Sequence, residues 1–361
     1  MHPRLAESSY EEVVKRIEDK SSYEGDRKRE NTITQSNSQQ HLNIANPAIN
    51  GTFSTGFAIQ PIHPRVPKFD GSAISSNEKE TMKFAYAKAK SMKSADVILF
   101  GVPDESGSHA LRKGAKQGPD AIRKISNREA KVSKTSTYEA QEGPIHASVF
   151  DAGNKTKKTI ASLVEKAQRQ GKKTIIFGGD HSITFNAIKG VVKVHKNISV
   201  IYLDTHPDFI CSRGSYFGSV LCDISHLKNV NLKKSALIGI RAIEPEERKT
   251  IKKSGIKAYT TLDIYDKGIK QVAKQLKKLI GKNKVYISID LDVFDPDVAP
   301  GVSTPYPGGL QTLDVIYLIK AIAKHAVGFD IMEYTPKYDI QERTGHVATV
   351  LTLELLKQVN E

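Results

Sequence analysis

The segment SIDLDVFDPDVAPG, Ser288 to Gly301, decides how this chain is read. Ile287, Ile289 and Leu291 alternate with Ser288, Asp290 and Asp292, so the run reads as a strand whose two carboxylates share a face. Two other stretches repeat the pattern. The apolar run Val200 to Leu203 leads into LDTHPDF (Leu203 to Phe209), where Asp204, His206 and Asp208 fall at alternate positions. The strand Thr174 to Phe177 closes at a Gly-Gly turn in FGGDHSIT (Phe177 to Thr184) and contributes His181. Open α/β sheets hold their ligands at the C-terminal ends of such strands. The three ends together offer four carboxylates, two imidazoles and no thiolate. That donor set suits Mn²⁺, or less often Mg²⁺, Fe²⁺, Co²⁺ or Ni²⁺, better than a structural zinc. Four negative charges also balance two divalent cations in a partly buried cleft.

Outward from these motifs, strands and helices alternate. Strands are expected at 95–101, 148–152, 174–177, 198–203, 236–240, 284–290 and 327–332, and helices at 78–92, 120–129, 156–170, 182–194, 245–253, 263–280, 312–325 and 347–357. Alternation with strands apolar on both faces predicts a three-layer α/β/α fold around a mainly parallel sheet. Residues 1–55 are rich in Ser, Asn, Gln, Glu and Lys, and residues 1–75 are expected to be a flexible extension or oligomer arm, with a short amphipathic helix over 10–17. Residues 76–361 are expected to be the catalytic domain. There is no internal repeat.

The chain has 361 residues, a formal charge of +14 and two cysteines, Cys211 and Cys222. So few cysteines predict no disulfide framework and a reducing, cytoplasmic setting. No signal peptide is read at the polar MHPRLAESSYEEVV, and no apolar run is long enough to span a membrane. The lysines are spread over helices without a nucleic-acid motif or interleaved aromatics, so the charge reads as a solvated surface, with neither nucleic acid nor membrane as partner.

The motifs GGDHS (Gly178 to Ser182), DTHPD (Asp204 to Asp208) and SIDLDVFDPDVAPG resemble the signatures of the ureohydrolase superfamily, which includes arginases, agmatinases and formiminoglutamases. The similarity extends to ILFGVPDESGSHALRKGAKQGPDAIR (Ile98 to Arg123), TPYPGGL (Thr304 to Leu310) and FDIMEYTPKYD (Phe329 to Asp339), covering roughly residues 95–358. The resemblance implies that His181, Asp204, Asp208 and Asp290 ligate one manganese, and His206, Asp204, Asp290 and Asp292 the other. It implies that Glu333 pairs with the guanidinium of a small substrate, and that the protein is a homo-oligomer, a trimer or hexamer. Asp180, beside His181, either orients a ligand or caps the following helix. Agmatine, split to putrescine and urea, is the first substrate expected, with other guanidino compounds close behind.

One departure stands out. Family members with guanidino substrates usually carry a proton-shuttling histidine ten to fifteen residues after the histidine that His206 matches here. Here CSRGSYFGSVLCDI places Phe217 there, and phenylalanine moves no proton. His226 is either a substitute shuttle or an ordinary histidine. Formiminoglutamases also lack a histidine at that place, so a formimino substrate is the alternative. Arg213 either holds a substrate carboxylate or is a surface arginine. A metal-binding but catalytically silent relative is the third possibility.

Overall fold

The computed structural model describes residues 82–132 and 145–359. The expected N-terminal extension, with its helix at 10–17, lies outside them. Eight strands form a single parallel sheet among the described residues: β1 (Val97–Gly101), β2 (Val149–Asn154), β3 (Lys173–Phe177), β4 (Ser199–Leu203), β5 (Ala236–Ile240), β6 (Lys257–Thr260), β7 (Val285–Asp290) and β8 (Ala326–Met332). Their order is β2-β1-β3-β8-β7-β4-β5-β6, with every pairing parallel. The inner strands are buried along their length apart from Lys173, as continuous Val, Ile and Leu runs require, while edge strand β2 alternates buried and half-buried residues.

Helices cover both faces. α1 (Gly118–Val132), α6 (Thr261–Lys267), α7 (Ile269–Ile280), α8 (Thr312–Ile322) and α9 (Arg343–Lys357) pack on one side. α2 (Ile160–Arg169), α3 (Ile183–Val191), α4 (Val220–Ser225) and α5 (Pro245–Ser254) pack on the other. The strands divide their side chains accordingly. Val97, Leu99, Ile287 and Ile289 enter the first core, and Ile98, Phe100, Val200 and Tyr286 enter the second. The three-layer fold expected from the alternation is the one observed.

Local departures have physical causes. Residues 82–92 form turns and irregular chain rather than the expected helix. Their donors are spent on tertiary partners: Phe84 N–H on Asp151 Oδ2 at 2.8 Å, Ala85 N–H on Ser126 Oγ at 3.2 Å and Ala89 N–H on the Val149 carbonyl at 2.9 Å. The single helix expected over 263–280 breaks at Gly268, whose φ of 75° no helix accommodates, into α6 and α7. The unexpected β6 is an edge strand in which only Tyr259 is buried, so it carries little apolar signal. No described helix is long and apolar enough to cross a membrane.

Candidate metal centre and its cavity

The four central strands, β3, β8, β7 and β4, end beneath one cavity. After β3 the chain turns through Gly178 and Gly179. A Cβ on Gly178 would lie 1.8 Å from Met332 Sδ, and one on Gly179 1.8 Å from the Asp104 carbonyl oxygen, so no side chain fits at either position. This close approach sets His181 over the sheet end. Strand alternation predicted that Asp204, His206 and Asp208 would converge, and likewise Asp290 and Asp292. They do converge, but through turns. β4 stops at Leu203, His206 N–H donates to Asp204 Oδ1 at 2.6 Å, and Asp208 takes a left-handed φ of 49°. Asp290 ends β7 and accepts the Asp292 N–H at 2.7 Å, capping a 3-10 turn over Leu291–Val293. Non-glycine residues with positive φ are uncommon, and they recur at functional sites.

The donors form two clusters that share Asp204. His181 Nδ1 lies 2.9 Å from Asp204 Oδ2 and 3.0 Å from Asp290 Oδ2, with Asp208 Oδ2 at 3.5 Å. His206 Nδ1 lies 3.1 Å from Asp292 Oδ2 and 3.5 Å from Asp204 Oδ1. Burial pushes the carboxyls of Asp208 and Asp290 well up, and the neighbouring aspartates push them further. Burial alone would lower His206, but Asp292 and Asp204 raise it to about 12. The cluster therefore seeks positive charge. Asp204 Oδ2 is buried and without a hydrogen-bond donor, as an atom available to a cation would be. Buried carboxylate oxygens with imidazole nitrogens, one carboxylate common to both groups, fit a pair of divalent cations.

A layer of partners behind the ligands holds them. His181 Nε2 lies 2.8 Å from Ser288 Oγ, and the Ser288 hydroxyl donates to Asp330 Oδ1 at 2.6 Å. With its proton committed to Asp330, Ser288 accepts from Nε2–H, which leaves the Nδ1 lone pair facing the carboxylates, as ligation requires. Asp330 Oδ2 also accepts from Tyr286 OH at 2.7 Å and Thr184 Oγ1 at 2.9 Å. Tyr202 donates to Asp208 Oδ2 at 2.6 Å and stacks on the His181 ring, 4.5 Å between centroids. The register places Tyr202 beside Ser288 and Ser288 beside Asp330, a polar row crossing β4, β7 and β8.

Glu333 follows β8 at a φ of 64°. Its Oε1 accepts His181 N–H at 2.9 Å and its Oε2 accepts the Ser303 hydroxyl, while burial raises its carboxyl to about 7. Asp180 is buried outside the cavity. It accepts Gly107 N–H at 2.8 Å and Ser182 N–H at 2.9 Å, tying the loop after β1 to the His181 turn just ahead of α3.

The cavity holds about 450 Å³. Asp204, His206, Asp208, Asp290, Asp292 and Glu333 line its floor, and His109, Arg213, Tyr216, Phe217 and Glu244 its mouth. Arg213 faces Glu244 at 3.6 Å, the two side chains 63% and 52% exposed. His226 is exposed at the C-terminal end of α4 and is not among the lining residues, so the structure does not bring it to the site. His109 does line the cavity, and the sequence reading passed over it because nothing in GSHALRK marks a site. The cysteine reading is corrected as well: Cys211 and Cys222 are disulfide-bonded, with Cα atoms 5.6 Å apart, linking the mouth loop to α4. A disulfide between these two cysteines gives no support to the reducing setting expected from their small number.

A parallel sheet gathers aspartates and histidines at its central strand ends beneath a cavity, an arrangement able to hold divalent cations. Residues 95–357 match the sequence model of the arginase family, and the chain belongs to that family, the ureohydrolases that cleave C–N bonds in linear amidines. It is similar to proclavaminate amidinohydrolase of Streptomyces clavuligerus, with 31% identity over 73% of this chain and 88% of that protein. Agmatinase of Proteus mirabilis is 28% identical over 73% of this chain and 87% of its own length. The crystal structure of agmatine ureohydrolase from Thermoplasma volcanium superposes with a TM-score of 0.68 at 27% identity, covering 77% of this chain and 94% of that one.

Proposed function

We propose that the protein hydrolyses a small guanidino compound to urea and an amine, with two Mn²⁺ ions and with agmatine as the first substrate. The observation that carries this reading is the shared cavity: Asp204, Asp290, His206 and Asp292 from the two clusters and the Glu333 carboxylate all line it. His181, Asp204, Asp208 and Asp290 would hold one ion, and His206, Asp204, Asp290 and Asp292 the other. Such a pair supplies Lewis acidity and water of lowered pKa.

The protein's own residues do the rest. Glu333, fixed by His181 N–H and Ser303, presents a carboxylate to the guanidinium, a charge-assisted contact that orients the carbon over the floor. Thr304 donates to Asp292 Oδ2 at 2.9 Å and Thr205 N–H to Asp292 Oδ1 at 3.1 Å, so this ligand keeps one orientation. At the mouth, Glu244 offers a charge to the ammonium end of agmatine. Arg213 favours a second reading, a guanidino acid whose carboxylate it would take from Glu244.

The test is urea release by the manganese-loaded protein offered agmatine, guanidinobutyrate and arginine in parallel, with formamide release from formiminoglutamate alongside. Urea from agmatine supports the proposal, and urea from a guanidino acid alone supports the second reading. Formamide alone, or silence in both channels with two ions bound, would sink the guanidino reading.

A further inference from the structure

The reaction just proposed requires protons to move as the carbon–nitrogen bond breaks. An alkylguanidinium and water give urea and an alkylammonium, so the nitrogen that leaves must gain two protons as its bond to carbon breaks. Both come from the attacking water, one before it adds to the carbon and one when the adduct collapses to urea. An amine leaving without a proton would be an amide anion, so a side chain placed to carry protons to this nitrogen speeds the step.

From the lining residues, resting on the proposed reaction, we infer that His109 is this group. Asp204, Asp290, Asp292 and His206 belong to the ion clusters, Asp208 accepts the Tyr202 hydroxyl at 2.6 Å and lies 3.5 Å from His181 Nδ1, and Glu333 belongs to the guanidinium. The Glu247 carboxylate is spent on the N–H groups of Phe209 at 3.0 Å and Glu244 at 2.8 Å. Phe217 carries no exchangeable side-chain proton. His109 is the one lining imidazole among the described residues that is outside the ion clusters, and neither of its ring nitrogens hydrogen-bonds another described residue. Imidazole both gives and takes a proton near neutral pH.

The ring is held in place. It stacks on Tyr216, 5.0 Å between centroids and 18° between planes, and meets the edge of Phe217 at 6.1 Å. Its loop is fastened on two sides: Phe217 N–H donates to the Gly107 carbonyl at 3.0 Å, and Gly107 N–H donates to Asp180 at 2.8 Å. A Cβ on Gly107 would stand 2.3 Å from Ser182 Oγ, so the backbone sits flush against the His181 turn. His109 thus lines the cavity and is exposed to bulk water, where a relay can reload.

The experiment compares full-length wild type, His109→Ala and His109→Gln, all manganese-loaded, on the substrate that releases most urea. Both variants should lose about 10²–10⁴-fold in kcat with KM within about threefold. Metal content and melting temperature should stay unchanged, and added imidazole should return roughly tenfold or more to the alanine variant. In wild type, the His109 ring resonances should shift on saturation with the product amine. Variants within about threefold of wild-type kcat, or a loss that imidazole does not touch, would overturn the role while the proposed reaction stands. Wild type that releases no urea from any guanidino substrate would overturn both.

Discussion

At the floor of the cavity, Asp204, Asp290 and Asp292 leave the ends of β4 and β7 buried, each oriented by backbone or side-chain hydrogen bonds. At the mouth, Arg213 and Glu244 are largely exposed, and the loop carrying Arg213 is braced by a disulfide and by Glu246, which accepts the N–H groups of Cys211 and Ser212. The floor is an extension of the sheet and the mouth an arrangement of loops. The difference teaches that a rigid strand end fixes its side chains while a loop can be re-aimed without disturbing the core.

The largest effect should come from the floor. Asp204→Ala, which removes the carboxylate common to both clusters, is expected to abolish metal binding and to cost at least about 10³-fold in urea release. Elemental analysis and a urea assay check it together, and full activity with two ions bound would break the division. Next comes the row behind the ligands. Asp330→Asn or Ser288→Ala should weaken manganese binding by about 10–100-fold, and excess metal should recover most of the rate. A loss of rate at saturating metal would move these residues from holding ligands to the chemistry itself. Smaller again, Glu244→Gln should raise KM for agmatine about tenfold with little change in kcat, and Arg213→Gln should do the same for a guanidino acid. Equal effects of both variants on both substrates would show that the mouth does not select. Smallest for catalysis, reducing the Cys211–Cys222 bond should alter kcat less than about twofold while lowering stability by up to about 3 kcal/mol, read from melting with and without reductant.

Much of the floor was legible in the sequence because its motifs are dense: six donors occur in three short stretches, each at the end of an apolar run. The backbone route was less legible. Alternation predicted that the donors converge but not that Asx-type turns after Asp204 and Asp290 bring it about. Tyr202, Tyr286, Ser288 and Asp330 were missed as supports, although a signal existed, since each is a hydroxyl or carboxyl inside an otherwise apolar strand. The mouth was nearly illegible. His109 comes from a loop more than ninety residues before Phe217, and no local pattern announces that the two meet. The disulfide was missed for a related reason: two cysteines eleven residues apart carry no signal until the turn between them is known.

The pairing of β4 with β7 has one more consequence. Leu203 lies beside Ile289 in the ladder, so Asp204 and Asp290 stand one row further along neighbouring strands. Their spacing is inherited from peptide hydrogen bonds, about 4.8 Å from strand to strand, rather than from the packing of any single side chain. An ion of different radius would be met by rotating carboxylates rather than by spreading the sheet. Exchanging donor types, rather than resizing the core, is the route to a new metal preference. On heating, the donor pair should keep its spacing until the central strands themselves part.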